Sequence, residues 1–162
     1  MSSPRKYILL VDDDQKITAA LARELQTWAQ ARSIDILRAA SAREAFALVE
    51  EFGADIYIVV AELKMIDVSG SVLLVDLSRS HPHIVTLLLT DLPDIDEIMK
   101  SVHANMFSLI RKPWDSWNLR IELSMAYEVA ENRRMGSKSA LLKPGRSDPE
   151  TRAGTVLLQE FD

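Results

Sequence analysis

Three consecutive aspartates, Asp12, Asp13 and Asp14, follow the short apolar run Tyr7 to Val11. Polar residues also end the comparable runs: Glu62 past DIYIVV, Thr90 and Asp91 past IVTLLL, and Lys112 with Pro113 past Phe107 to Arg111. Adjacent carboxylates repel one another, so a fold tolerates them best where a divalent cation or a lysine neutralises them. Oxygen ligands without histidine or cysteine suit Mg2+. A lysine point charge and a small hydroxyl are the groups that hold phosphoryl oxygens. The set therefore points to phosphoryl handling at a cation-neutralised acidic site. The plainer alternative is that Asp12 to Asp14 cap a helix, whose macrodipole favours acids. That explains one or two aspartates but leaves Thr90 and Lys112 unaccounted for.

These residues meet only if the fold brings the ends of their runs together. Tyr7 to Val11, Ile34 to Arg38, Asp55 to Val60, Ile84 to Leu89 and Phe107 to Arg111 read as strands alternating with amphipathic stretches, a βα repeat. The third and fourth are apolar throughout, as strands covered on both faces are. The first helix, about Gln15 to Ala31, aligns Ile17, Leu21, Leu25 and Trp28, with Asp14 as N-cap. The second opens on the capping-box pattern Ser41 to Glu44 and buries Ala45, Leu48 and Val49. The third begins near Gly70 and carries Val72, Leu73 and Leu77. The fourth, about Asp94 to His103, carries Ile95, Ile98, Met99 and Val102. The fifth runs from about Ser116 to Met135, with Leu119, Leu123, Ala126, Tyr127 and Ala130 facing in. Five βα units with short connections predict an α/β fold, a doubly wound parallel sheet. In such sheets the site lies outside the carboxyl ends of the strands, where the polar residues above stand. The domain spans 1–135, and 136–162 reads as a polar, flexible tail. Its apolar stretch is Thr155 to Leu158.

The segments ILLVDDD, SAREAFALV, LLLTD and IRKPWD, and the separation of 22 between Thr90 and Lys112, make residues 5–135 resemble a receiver domain of two-component response regulators. The resemblance implies a flavodoxin-like, five-stranded sheet of order 2-1-3-4-5 and a non-enzymatic role in phosphorelay signalling. It also implies that Asp12, Asp13, Glu62 and Lys64 form the Mg2+ site and that Lys112 contacts the phosphoryl group. Thr90 would be the switch hydroxyl, and Lys112-Pro113 a cis peptide.

The segment ELKMIDVSG departs from the family pattern. Glu62 stands eight residues before Gly70, at the phosphoacceptor position where the family has aspartate. Asp55 opens the strand and Asp67 lies in the following loop, so neither substitutes. Met65-Ile66 replaces Met-Pro, and Leu109 stands where the family keeps a tyrosine or phenylalanine, with Phe107 and Trp114 out of that register. The extra methylene of glutamate pushes its carboxylate toward Lys112, making it a phosphate mimic. The mimicry is partial, because a phosphoryl group carries about −1.5 to −2. Alternatively, Glu62 keeps the charge balance of a receiver that serves as a fixed docking module. Both readings describe a receiver that works without phosphorylation, with at most weak Mg2+ binding. Its partner would be a sensor kinase or downstream effector, docked on the face of the fourth and fifth helices and fifth strand. Ile98, Met99 and Arg120 are positions for that face or for the core, and a homodimer is a further option.

Composition narrows the classes. Without cysteine there is no disulfide, zinc knuckle or thiol nucleophile. A net charge of −5 argues against nucleic-acid binding, and the tail is too short for a DNA-binding helix pair. The opening MSSPRKYILLVDDDQK lacks an apolar stretch of signal or membrane-span length, so the expected location is cytoplasmic. His81, His83 and His103 read as surface-loop residues rather than metal ligands. A haloacid dehalogenase-type phosphatase would use Asp12 and Asp14 with Thr90 and Lys112. It wants threonine or valine where Lys16 stands, and an acidic pair beyond Lys112 that is missing. A nucleotide-binding fold wants a glycine in the first turn, which reads VDDDQK.

Overall fold

A computed structural model describes residues 4–91 and 94–142. Its strands are β1 (Tyr7–Val11), β2 (Asp35–Ala39), β3 (Ile56–Ala61), β4 (Val85–Thr90) and β5 (Ser108–Arg111). They alternate with helices α1 (Gln15–Ala31), α2 (Ala42–Phe52), α3 (Gly70–Ser80), α4 (Ile95–His103) and α5 (Ser116–Leu142). All pairings are parallel and the order is β2-β1-β3-β4-β5, the doubly wound, flavodoxin-like arrangement expected. Sheet and helices up to Asn132 form one compact unit, and Arg133 onward falls in a second.

Strand alternation sorts the core into two layers. Ile8, Leu10, Val60, Leu87, Leu89 and Ile110 face α1 and α5, packing on Leu21, Leu25, Trp28, Leu119, Leu123 and Ala126. Leu9, Val11, Val59, Ala61 and Leu88 face the other way, onto Ala45 and Val49 of α2 and Leu73, Leu74 and Leu77 of α3. A register shift between Tyr7 and Ile8, where β1 meets β3, breaks the alternation at Tyr57. Tyr57 and Ile58 both join the α1/α5 layer, and the Tyr57 ring stacks on Tyr127 at 5.9 Å. Trp28 meets Tyr127 edge-on, and the Trp28 indole N–H donates to Ser124 Oγ at 3.0 Å, tying α1 to α5.

The helix ends obey capping chemistry. Asp14 caps α1 by accepting from the Lys16 N–H at 3.0 Å. Ser41 accepts from the Glu44 N–H, the first half of a capping box, while the Glu44 carboxylate reaches back to the Ala40 N–H, one residue before the N-cap.

The helix faces left open by the sequence are placed as follows. Val72 of α3 and Met99 and Val102 of α4 are exposed, whereas Leu73 and Leu77 are buried and Ile98 is half-buried. The reason is that α4 is short and packs on one neighbouring helix, α3, so its inward stripe is narrow. The fifth helix also runs past Met135 to Leu142. A single glycine, Gly136, costs a helix only about 1 kcal/mol. The residues after it include good helix formers, and the next proline is Pro144. The rest of the expected tail, with Thr155 to Leu158, lies outside the described residues.

Candidate functional site

Register assembles the site. Val11 lies opposite Ala61, so Asp12 and Glu62 leave the sheet side by side. The Glu62 N–H donates to Val11 O at 2.8 Å and the Asp12 N–H to Ala39 O at 3.1 Å. Thr90 lies opposite Arg111, and the next residue, Lys112, donates its N–H to Thr90 O at 2.9 Å. Asp12, Glu62 and Lys112 each stand two residues beyond a member of the α1/α5 layer (Leu10, Val60 and Ile110), so their side chains turn to one side.

Lys112 Nζ bridges the two acids, donating to Asp12 Oδ2 at 2.7 Å and Glu62 Oε1 at 3.2 Å. The remaining oxygens are also engaged. Asp12 Oδ1 accepts from the Asp14 N–H at 2.9 Å, and Glu62 Oε2 from the Leu63 N–H at 2.8 Å. Both acids are buried. Burial pushes their carboxyls above the usual range, and the bonds from Lys112 offset this only in part. Desolvation acts downward on Lys112, but its two carboxylate partners outweigh it and hold the ammonium above its ordinary value.

The other candidates are placed differently. Thr90 ends β4, buried; Asp13 is half-buried; Asp14 is exposed at the start of α1; Lys64 and Asp91 are exposed. Among the described residues, no three histidine, aspartate or glutamate side chains are grouped to hold a metal ion. The Lys112-Pro113 peptide is cis. A groove of about 510 Å3 beside the site is lined by Ile17, Asp91, Lys112, Pro113 and Trp114, whose indole N–H donates to Glu24.

The loop after Glu62 holds contacts not foreseen from the sequence. Asp67 accepts from the backbone N–H groups of Arg43 (2.9 Å) and Ala42 (3.2 Å) at the start of α2. The Arg43 N–H is the main cause that holds the Asp67 carboxyl below its usual range. The Ser69 hydroxyl caps α3 and lies 3.2 Å from Leu63 O and 2.8 Å from Glu97 Oε2 of α4. Ser71 donates to the same Glu97 oxygen. These hydroxyls, Ser71 first, bring the Glu97 carboxyl down to about 2. The sequence signal was a serine pair at a helix start, and nothing in it named Glu97 as the acceptor.

A depressed carboxyl contributes stability that is complete above its unfolded value and lost as pH falls through its folded value. Glu97→Gln is therefore expected to lower stability by about 1–2 kcal/mol at pH 7, with the deficit shrinking as pH falls from about 5 to about 2. Urea titrations at several pH values read this, and a deficit independent of pH would sink the assignment.

The response regulator receiver domain family matches residues 8–124. The chain belongs to this family. The receiver is 30% identical over 108 residues to the sensor kinase CckA of Brucella abortus (strain 2308), covering 66% of this chain and 11% of that protein. It thus spans about a tenth of that relative's length. The signal receiver domain of an HD domain-containing protein from Pseudomonas fluorescens Pf-5 superposes with a TM-score of 0.74 at 25% identity, covering 83% of this chain and 96% of that one. A receiver domain protein from Methanospirillum hungatei JF-1 shares the fold at 23% identity, with a TM-score of 0.71 over 79% and 98% of the two chains. No helix among the receiver's described residues is long and apolar enough to cross a membrane.

Proposed function

We propose that this receiver signals by protein contact without phosphoryl transfer. On this reading Glu62 stands in for a phosphorylated acceptor and holds the crevice in one state. The observation that carries it is the buried bridge from Lys112 to Glu62 and Asp12. Lys112, the family's phosphate contact, is already paired with the carboxylate at the acceptor position. The loop after Glu62 supports the reading. Leu63 gives its N–H to Glu62 and its carbonyl to Ser69, and Ser69 contacts Glu97 at the start of α4. The state of the acceptor position is thereby tied to the face of α4, β5 and α5, where a sensor kinase or downstream effector would dock. Met99 is an exposed apolar residue on α4 suited to that contact. Arg120 is exposed too, but lies beside Trp28 of α1.

A resident Mg2+ would have to displace Lys112 from Asp12 and Glu62, whose oxygens all have protein donors. Binding in the millimolar range or weaker is the expectation. The phosphatase reading gains no support, since Asp14 is turned to its capping bond with Lys16 rather than toward a reacting group beside Asp12.

The test is intact mass after incubation with a small phosphodonor and Mg2+. No adduct is expected on the receiver, whereas Glu62→Asp is expected to gain one phosphoryl group by restoring the acceptor. An adduct on the unaltered chain that Glu62→Gln removes would refute the proposal.

A further inference from the structure

A groove between the carboxyl-terminal turns of α3 and α4 takes no part in the docking role above. It has a volume of about 270 Å3 and is lined by Val75, Ser78 and Arg79 of α3, Lys100 and His103 of α4, and Ala104 just beyond. In a chain of net charge −5 its walls are basic, and no carboxylate lines it. Arg79, Lys100 and His103 are exposed, whereas Val75 is half-buried and Ala104 buried, so the floor is apolar. The Ser78 hydroxyl is turned to its own helix, donating to Val75 O at 2.7 Å. Among the described residues Arg79 and His103 have no ion-pair partner. Lys100 pairs with Glu97 Oε1 at 3.1 Å, one turn back on its own helix, through a side chain that is 61% exposed. Such a pair is weak, and the ammonium stays available to a ligand. Helix macrodipoles explain a base at the end of each helix. They do not explain why the bases of two helices flank one apolar floor.

The cross-section of the groove identifies the occupant. From wall to wall it runs from Arg79, over Val75 and Ala104, to Lys100 and His103. The complement is an apolar strip with acids on both sides. An extended segment sends alternate side chains into the groove and away from it, so it meets the floor but not both walls. An amphipathic helix carries an apolar stripe with polar flanks on either side at every turn. With carboxylates on both flanks it reaches both basic walls while its stripe covers the floor. Val72 lengthens the fit. It is 48% exposed and stands three residues before Val75, which stands four before Arg79. The three make one stripe along α3 about 10 Å long, two turns of an approaching helix. We propose that the α3–α4 groove docks an acidic amphipathic helix of a partner protein, its apolar stripe on Val72, Val75 and Ala104 and its carboxylates at Arg79, Lys100 and His103. Met99 does not line this groove, and the proposal does not rest on the state of Glu62.

The experiment is fluorescence anisotropy of a labelled helical peptide titrated with the full chain, with circular dichroism to confirm that each variant is folded. The probe is about 20 residues long, with leucines at spacings of three and four and glutamate and alanine elsewhere. A Kd of roughly 10–300 μM is expected at low salt, weakening at least about threefold when salt is raised from about 50 to 300 mM. Arg79→Glu and Lys100→Glu should each weaken binding about fivefold or more, and Arg79→Gln and Lys100→Gln should act in the same direction by less. Arg23→Glu, exposed on α1, should leave it within about twofold. No binding up to about 1 mM, binding indifferent to Arg79→Glu, or binding weakened as much by Arg23→Glu would each overturn the proposal. So would displacement of the peptide by inorganic phosphate at constant ionic strength, which would mark a small-anion site. Sedimentation showing a dimer of the chain that Arg79→Glu dissolves would give the groove to a second copy and overturn it too.

Discussion

Replacing Lys112 with methionine is expected to lower folding stability by about 3–5 kcal/mol, the range seen when one partner of a buried ion pair is removed. The side chain fills a similar volume but leaves Asp12 Oδ2 and Glu62 Oε1 without their donor, both inside the protein. The loss should depend on pH with a definite sign. Burial already pushes both carboxyls above their ordinary values, and removal of the ammonium pushes them further. The native state then binds more protons than the unfolded chain over the interval between the two values, so stability falls as pH rises through it. The deficit of Lys112→Met relative to the parent should therefore be larger at pH 7 than at pH 5. Adding Glu62→Gln and Asp12→Asn should recover most of it, because no charge is then left buried. Urea unfolding at both pH values is the measurement. A deficit below about 1 kcal/mol, flat with pH, would mean that water reaches the carboxylates and that the bridge is not what neutralises the site.

The parts of this arrangement that could be read from the sequence are those that the chain encodes locally. The runs DIYIVV and IVTLLL are apolar at every position because β3 and β4 are covered on both faces. Asp14 and Ser41 cap helices that begin within three residues of them. The site's polar members were visible because each follows its strand directly, and a parallel sheet in register delivers strand ends to one place. What could not be read depends on contacts between distant segments. Asp67 caps a helix 24 residues upstream, and Glu97 receives hydroxyls from residues 26 and 28 positions before it. No period in the sequence links such pairs. Which face of α3 and α4 is covered stayed open for a related reason. Val72, Met99 and Val102 fit a helical apolar spacing, but whether that spacing meets a neighbour is decided by the width of the layer packed on it. The three aspartates also separate once the fold is known, with Asp12 in the bridge and Asp14 at the head of α1.

Gly70→Ala is expected to be the other severe change, at about 3 kcal/mol or more, above the usual range for an overpacked side chain. A methyl group there would stand 2.2 Å from Glu62 O and 3.2 Å from Leu63 Cα, both backbone atoms. Backbone cannot swing aside as a side chain does, and it is held on both sides. The Glu62 N–H is bonded to Val11 O within the sheet, and the Gly70 N–H to Leu63 O at 2.8 Å. Relief must come from opening the loop that joins β3 to α3 or from moving the end of β3. Either motion shifts Glu62 against Lys112 and the Ser69 hydroxyl against Glu97. The need for a glycine eight residues after the acceptor position is thus steric: the first turn of α3 rests on the carbonyl of the acceptor residue itself. Gly136→Ala is the matched control, since nothing lies within 4 Å of a methyl group there. Within α5 it should be neutral or stabilising by up to about 1 kcal/mol. Thermal and urea midpoints of the two variants decide the matter, and a Gly70→Ala protein as stable as its parent would mean that the loop yields and that Glu62 is not held rigidly by it.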